Sequence, residues 1–169
     1  MRIVFLDVDG VLNTPSTECM TRTGHQFIDE DKITILKKIT DTAEAAVVVS
    51  SGWCYGGMLS AAGVHEGNFV SDFNELIDKL QEFKVSIAGR IDFKQGTPSG
   101  KGEGIRDWLV LNKDRIETFV VIDDQVDKMG FSNEYNEILF KTDKNTGITE
   151  EIANKAILKL TKTSSYEQS

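Results

Sequence analysis

Short apolar runs rich in valine and isoleucine alternate along the chain with longer segments of helical period. The runs lie at residues 3–8, 45–49, 85–91, 119–122 and 138–140, of which the third is weaker and the last is shorter. Runs that are apolar on both faces are typical of strands in a parallel sheet covered by helices. The pattern therefore predicts a mostly parallel central sheet.

The intervening segments carry apolar residues at three- and four-residue steps, as one buried face of a helix requires. These positions are Ile33, Leu36 and Ile39; Phe73, Leu76, Ile77, Leu80 and Phe83; Ile105, Trp108 and Leu109; and Ile152, Ala153, Ala156, Ile157 and Leu160. Asp29 or Asp31 could cap the first helix, and Thr149 opens the last. Asp72 and Glu75 have the spacing of a capping box in the second. Alternating strands and helices predict a three-layer α/β/α sandwich with right-handed crossovers.

The length and composition fit one globular domain. The 169 residues are 40% hydrophobic and 27% charged, which is ordinary for a chain long enough to bury a core. We expect a single domain over residues 1–161 and a polar C-terminal tail over 162–169. No apolar run approaches the roughly 20 residues of a membrane span, and no signal-peptide pattern is recognisable. Cys19 and Cys54 lack metal-site spacing, so a cytoplasmic protein with reduced, packed cysteines is predicted.

Polar residues able to do chemistry follow the predicted strands. In sheets of this kind, ligands bind at the carboxyl ends of the strands. Asp7 and Asp9 follow the first run, Ser50 and Ser51 the second, and Asp123 and Asp124 the fourth. Lys101 lies between two glycines at the predicted start of the third helix. We therefore expect these side chains to meet at one edge of the sheet.

One reaction, phosphoryl transfer, suits these side chains. The Asp7 carboxylate could attack phosphorus and form an acyl-phosphate, which splits hydrolysis into two easier steps. Because a carboxylate and a phosphate repel each other, a cation is needed between them, and Mg²⁺ suits such a site. Ser50 could donate a hydrogen bond to a phosphoryl oxygen, and Lys101 would add positive charge. Asp9 could protonate the leaving oxygen and then activate water.

The order of these motifs resembles that of the haloacid dehalogenase-like (HAD) hydrolases over about residues 3 to 127. The shared order is Asp-Val-Asp-Gly-Val, an apolar strand ending in Ser, a Lys, and an apolar strand ending in Asp-Asp. More narrowly, the chain resembles the capless phosphatases related to phosphatase domains of nucleic-acid repair proteins. That likeness depends on Asp-Val-Asp-Gly-Val-Leu-Asn, Ser-Ser-Gly-Trp, Lys-Gly-Glu-Gly-Ile-Arg-Asp-Trp-Leu, Val-Ile-Asp-Asp and a late Gly-Ile-Thr. The resemblance implies a Rossmann-type fold without a large cap domain.

The same resemblance implies roles for individual residues. Asp7 would be the nucleophile and Asp9 the general acid and base, with the Asp9 backbone carbonyl on the metal. Lys101 would bind phosphate together with Ser50 or its neighbour Ser51, since a shift of one residue at the strand end exchanges the two. In the pair Asp123-Asp124, the resemblance favours Asp124 as the metal ligand. Asp123 and Asp127 would support the shell around the metal.

The predicted spacing leaves room for a flap after the first motif but for no cap domain, so the site should be open. Between Trp53 and Lys101 we expect a helix and a strand that the core itself requires. An open site suits a phosphate on a macromolecule such as a polynucleotide end, and Arg22 in the early polar loop could touch it. The formal net charge of −8 argues against a broad basic groove, although a small basic rim could still take a polynucleotide end.

Two further functions use similar residues. A phosphoacceptor signalling module also combines acids, a Ser or Thr and a Lys on an α/β sheet, but takes its phosphoacceptor from a middle strand, whereas here that run ends in Ser50 and Ser51. A catalytically idle binding domain could keep the fold without the activity. The leading expectation is a Mg²⁺-dependent phosphomonoesterase acting on a phosphorylated substrate, with no membrane partner.

Overall fold

A computed structural model describes residues 1–18, 20–21, 24, 28–92 and 98–162. Within these ranges the strands are Arg2–Leu6 (β1), Ala45–Val49 (β2), Ile87–Arg90 (β3), Thr118–Asp123 (β4) and Leu139–Lys141 (β5). The α-helices are Glu30–Ala43 (α1), Cys54–Ala61 (α2), Asn68–Glu82 (α3), Pro98–Asn112 (α4) and Glu150–Thr161 (α5). Short 3₁₀ helices cover Lys113–Arg115, Val126–Lys128 and Asn133–Ile138. Each predicted strand is present, although β3 is shorter than the apolar run that predicted it.

The described strands form one sheet in the order β3-β2-β1-β4-β5, and every neighbouring pair is parallel. The central strand β1 is the most protected, since its side chains from Ile3 to Leu6 are fully buried. Strands β2 and β4 flank β1 and contribute the apolar residues Val47, Val48 and Val49 and Val120, Val121 and Ile122 to the core. The structure confirms the predicted parallel, doubly covered sheet.

Helices cover both faces of the sheet. Helix α1 packs against α5 and is joined to α3 by an ion pair between Glu30 and Lys79, so these helices share one face. The chain reverses direction across the sheet between β3 and β4, and a right-handed crossover then places α4 on the other face. There, Trp108 packs edge-on against Phe5 of β1, with ring centroids 5.5 Å apart. The predicted α/β/α sandwich is confirmed.

One helix was missing from the prediction, which placed a single helix and a strand between Trp53 and Lys101. The extra helix, α2, contains two consecutive glycines, which disfavour a helix in isolation. Tertiary packing reverses that preference. A Cβ on Gly56 would lie 1.9 Å from the Phe69 carbonyl oxygen, and a Cβ on Gly57 would lie 2.7 Å from the Arg90 side chain. Glycine therefore allows α2 to approach α3 and β3 more closely than any other residue could.

The predicted capping box at Asp72 and Glu75 is wrong. Helix α3 begins one turn earlier, after Gly67, whose φ of 115° suits the end of the preceding turn. Val70 in the first turn is buried, so the helix extends upstream to cover the core, and this places Asp72 inside it, also buried.

The predicted starts of α1 and α5 agree with the structure. The Asp31 backbone N–H donates to Asp29 Oδ1 (3.0 Å), which identifies Asp29 rather than Asp31 as the cap of α1. Thr149 Oγ1 accepts from the Ile152 N–H (3.3 Å) at the start of α5. Lys101 lies within the first turn of α4 rather than before it. The predicted tail lies outside the described residues beyond Lys162, and the domain boundary stays a prediction.

No helix in the described ranges is both long enough and apolar enough to cross a membrane. Cys54 is a free, buried thiol, as expected for a packing residue. Burial raises the pKa of the Cys54 thiol to about 11, so it stays protonated at neutral pH. Its predicted companion Cys19 lies outside the described residues.

Candidate active site

The register of the three central strands aligns their carboxyl ends. Leu6 of β1 pairs with Val49 of β2 and with Ile122 of β4. The Asp7 N–H donates to the Ile122 carbonyl (3.0 Å), and the Ser50 N–H donates to the Leu6 carbonyl (2.7 Å). The ladder thus continues one residue past β1 and β2. It places Asp7 between the ends of its two neighbouring strands.

Lys101 joins two of the strand ends. Its Nζ donates to Asp7 Oδ2 (2.8 Å) and to Asp123 Oδ2 (2.6 Å). The Lys101 side chain is 12% exposed, and those of Asp7 and Asp123 are 6% and 0% exposed, so all three charges are largely removed from water. A buried lysine is stable only with such partners.

Glycine allows α4 to bring Lys101 close enough. A Cβ on Gly102 would lie 2.1 Å from the Met129 carbonyl oxygen, so a larger residue would push the first turn of α4 away from the segment after β4. The glycine on the other side of Lys101 in the sequence motif is Gly100, also in this turn. Gly102 is therefore a packing requirement that sets the depth of the lysine.

A tight turn after β1 places the second acid of the first motif. The Val8 carbonyl accepts from the backbone N–H groups of Val11 and Leu12. Gly10 takes the left-handed conformation with φ of 74°, and a Cβ there would lie 3.1 Å from the Asp124 side chain. Gly10 therefore allows the left-handed turn and also leaves space for the Asp124 side chain, which comes from the end of β4.

Asp9 is held by donors on two sides. Asn13 Nδ2 donates to Asp9 Oδ1 (2.9 Å), and Trp53 Nε1 donates to Asp9 Oδ2 (3.1 Å). Asn13 also accepts, through Oδ1, from the Gly10 N–H (3.1 Å). Trp53 is 7% exposed, and its indole N–H fixes a site carboxylate.

Three carboxylates form a cluster that could hold a metal. Oxygen atoms of Asp7, Asp123 and Asp124 lie within 4.8 Å of one another. Burial, with the nearby Asp123 charge, raises the pKa of Asp7 to about 7 despite the opposing effect of Lys101. Burial and the Asp7 charge also raise the pKa of Asp124. The raised pKa values show that these crowded carboxylates need positive charge nearby. A hard divalent cation such as Mg²⁺ would provide it, because Mg²⁺ prefers oxygen ligands.

The two serines after β2 are deeper than expected. Ser50 and Ser51 are both fully buried. Ser51 Oγ accepts from the Trp53 N–H (3.4 Å), whereas Ser50 Oγ has no hydrogen-bond partner within the described part of the chain. An unsatisfied buried hydroxyl is costly. This difference favours Ser50 as the group that is free to meet an additional ligand.

An open cavity of about 470 Å³ lies above these residues. The lining residues are Asp7, Asp9, Gly10, Asn13, Thr14, Pro15, Gly52, Lys101, Asp124, Gln125 and Lys144. Asp124 therefore faces the cavity, whereas Asp123 lies behind Lys101 and accepts from the Gln125 N–H through Oδ1 (2.7 Å). The choice of Asp124 over Asp123 as the principal metal ligand stays a prediction, since both belong to the acidic cluster.

Of two further predicted contributors, Asp127 lies away from the site and Arg22 is not described. Asp127, which was expected to support the metal, is an exposed residue in an ion pair with Lys141 (2.9 Å) and is not part of the acidic cluster. It follows β4 on a 3₁₀ turn that directs its carboxylate outward. Arg22 lies outside the described residues.

Sequence reasoning missed Thr142 and Lys144, which follow β5. Thr142 Oγ1 donates to the Gly10 carbonyl (2.7 Å), and its N–H donates to the Asp123 carbonyl (3.2 Å). These bonds tie the end of β5 to both acidic motifs. The only sequence signal was their position after the fifth apolar run, which the rule of strand carboxyl ends could have used.

The parallel sheet, the acids at adjacent strand ends and the buried lysine between them define a HAD-like hydrolase. A family model described as the HAD domain in Swiss Army Knife RNA repair proteins matches residues 3–153, and the chain belongs to that family. Searches of curated proteins and of solved structures gave no significant match.

Proposed function

We propose that this protein is a Mg²⁺-dependent phosphomonoesterase that forms an aspartyl-phosphate on Asp7. The observation that carries the proposal is the contact of Lys101 Nζ with both Asp7 and Asp123 beside the cavity-facing Asp124. Phosphoryl transfer needs positive charge around a nucleophile. Lys101 supplies positive charge beside Asp7, and a cation held by the acidic cluster would supply more.

Asp7 is already oriented for attack. The Val8 N–H donates to Asp7 Oδ1 (2.8 Å), and Lys101 donates to Oδ2, which fixes the plane of the carboxylate. In the first step an Asp7 oxygen forms a bond to phosphorus while the bond from phosphorus to the ester oxygen breaks. In the second step water attacks the same phosphorus, which releases inorganic phosphate and restores the carboxylate.

Asp9 moves the protons of both steps. As an acid it gives a proton to the departing ester oxygen, and as a base it takes one from the attacking water. Asn13 and Trp53 donate hydrogen bonds to Asp9 and hold it at the cavity wall. Asp7, in contrast, accepts a side-chain hydrogen bond from Lys101. Two carboxylates in different hydrogen-bonding environments can then perform different tasks.

The electrostatic groups act on the phosphate. Lys101 stays close to Asp7 and would contact a phosphoryl oxygen bound there. Asp7 and Asp124, with Asp123 behind them, would hold Mg²⁺, which when bound supplies the charge that lets two anions approach. We assign Ser50 the hydrogen bond to a phosphoryl oxygen because its buried hydroxyl has no partner in the described ranges.

The substrate we propose is the phosphorylated end of a polynucleotide. Support comes from the family description, which names RNA repair proteins, and from the open cavity. No cap domain covers that cavity in the part of the chain that the structure describes. An uncovered site admits a phosphate that is attached to a long chain.

The first experiment is phosphate release from an aryl phosphate. We expect turnover with Mg²⁺, loss of turnover with a chelator, and loss in Asp7→Asn. Asp41→Asn is the matched control, since Asp41 is an exposed acid on α1 that is paired with Lys37. A metal-dependent rate that survives Asp7→Asn would overturn the nucleophile assignment.

A phosphoacceptor switch would also label on Asp7, so the lifetime of the adduct is the discriminating measurement. After exposure to a small phosphodonor, mass spectrometry should find the acyl-phosphate only transiently in the wild type and for longer in Asp9→Asn. An adduct that persists for hours in the wild type would favour the switch, and the absence of any labelling would favour an idle domain.

A further inference from the structure

A second cavity lies beside the reaction centre. It has a volume of about 450 Å³ and shares Asp124, Gln125 and Lys144 with the cavity above Asp7. The rest of its lining is Lys128, Lys141, Thr142, Asp143 and Asn145. Because the two cavities share walls, one ligand can occupy both. We call the second one the basic cavity, after Lys128, Lys141 and Lys144.

The clustering of these lysines contrasts with the charge of the whole protein. The chain has 19 basic and 27 acidic residues, so an average surface patch carries more acids than bases. Lys128 and Lys144 form no ion pair with any residue that the structure describes. Lys141 is paired with Asp127, but both side chains are more than half exposed, and such a pair exchanges readily for another anion.

The acids in the cavity wall are already engaged. Asp143 Oδ1 accepts from the Asn145 N–H (2.7 Å) and from Asn145 Nδ2 (3.0 Å), which turns its carboxylate towards its own loop. Asp124 belongs to the acidic cluster on the reaction-centre side. The positive groups are therefore the ones left available to a ligand in the basic cavity.

The loop that carries Lys144 is fixed against the first motif. The Ile148 N–H donates to the Val11 carbonyl (2.9 Å), and the Gly147 N–H donates to the Asp143 carbonyl (2.7 Å). Gly147 has a φ of 65°, and a Cβ there would lie 2.6 Å from the Val11 carbonyl oxygen. The distance between the basic cavity and Asp7 is therefore set by backbone contacts rather than by flexible side chains.

We propose that the basic cavity binds the phosphodiester next to the terminal phosphate, so that the substrate is an oligonucleotide end and not a mononucleotide. This inference depends on the proposed function for the position of the terminal phosphate. Lysine ammonium groups are strong partners for phosphate oxygens, and each phosphate neutralised on a single strand contributes to the salt dependence of binding. Lys128, Lys141 and Lys144 are thus binding residues.

Binding and catalysis should be measured separately. Asp7→Asn protein, which cannot turn over, is titrated by fluorescence anisotropy into labelled tetranucleotides with a 3′- or a 5′-phosphate, and mononucleotides compete. We expect the tetranucleotide to bind at least tenfold more tightly than the matching mononucleotide. Replacing Lys128 and Lys141 by alanine in this background should remove that advantage and reduce the slope of log affinity against log salt by about 0.7 per lost phosphate contact.

Lys155→Ala is the matched control, because Lys155 is an exposed lysine on α5 paired with Glu151 and is absent from the cavity lining. It removes an exposed positive charge outside the basic cavity, one against the two of the Lys128/Lys141 variant, and should keep the tetranucleotide advantage. Equal binding of mononucleotide and tetranucleotide, or equal losses in Lys155→Ala and the Lys128/Lys141 variant, would overturn the proposal. Failure of the proposed function has a different signature, namely no Asp7-dependent phosphate release, which leaves the anisotropy result interpretable.

Discussion

The indole N–H of Trp53 donates a hydrogen bond to Asp9 Oδ2 at 3.1 Å, linking the turn after β2 to the turn after β1. With Asn13 on the other carboxylate oxygen, it leaves Asp9 little freedom to rotate. In the proposed mechanism Asp9 is the general acid, which must keep its proton aimed at the leaving oxygen, and Trp53 would then be a positioning residue for Asp9.

Trp53→Phe should therefore slow the reactions that need an acid most. We expect kcat to fall roughly tenfold for an alkyl phosphate, whose leaving group must be protonated, and much less for a nitrophenyl phosphate. Steady-state kinetics with both substrates measure the difference. Trp108→Phe is the control, since Trp108 packs on Phe5 in the core. Equal losses with the two substrates would indicate a structural effect only.

Lys101→Met should affect both activity and stability. Losing the cation beside Asp7 should reduce kcat about 100-fold or more. Without Mg²⁺, Asp7 and Asp123 would be left as buried acids with no counter-charge, which should cost roughly 3 kcal/mol in the free energy of unfolding. Urea denaturation of the metal-free protein measures this cost. Adding Asp123→Asn should recover part of it, and full additivity of the two substitutions would contradict the ion pair.

Mg²⁺ should stabilise the wild type through the acidic cluster. At tenfold above its dissociation constant, a ligand bound only by the folded state adds about 1.4 kcal/mol, equivalent to about 3–6 °C in Tm for a chain of this size. Thermal denaturation with and without Mg²⁺ should show this shift in the wild type and lose it in Asp124→Asn. Asp127→Asn, which changes an exposed acid outside the cluster, should keep the shift.

Gly102→Ala should disturb the position of the lysine. The added Cβ would lie 2.1 Å from the Met129 carbonyl oxygen, so the first turn of α4 must move. We expect a loss of about 1–3 kcal/mol in the free energy of unfolding and a lower kcat. Gly52→Ala serves as the stability control, because an added Cβ there has no heavy atom of the described residues within 4 Å apart from its chain neighbours. An unchanged kcat in Gly102→Ala would show that the lysine tolerates the shift.

Cys54 should make stability depend on alkaline pH. Burial raises its pKa from 9.0 to about 11, so between these values the folded state keeps a proton that the unfolded state loses. Stability is then fully present below pH 9 and falls as pH rises towards 11, by about 1.4 kcal/mol per unit of pKa difference. Urea denaturation across this range should show a steeper decline for the wild type than for Cys54→Ala. Parallel declines would contradict the burial effect.

The local pattern was sufficient for most of the fold. Val- and Ile-rich runs predicted every strand of the sheet, and the helical stripes predicted α1, α3, α4 and α5, because each element must bury one face or both. Helix α2 was not predicted, because its glycines Gly56 and Gly57 have low intrinsic helix propensity. They are selected by the close approach of Phe69 and Arg90, which are distant in sequence.

The candidate site was likewise predictable in part from the sequence and in part only from the tertiary structure. The sequence by itself determined which acids, serines and lysine could meet, because parallel strands end at one edge of a sheet. It left their individual environments open. Only the tertiary structure separated Asp123, bound behind Lys101, from Asp124 at the cavity, attached Trp53 to Asp9, and brought Lys144 beside the reaction centre. Those relations depend on side-chain contacts between segments far apart in the chain, which no local pattern encodes.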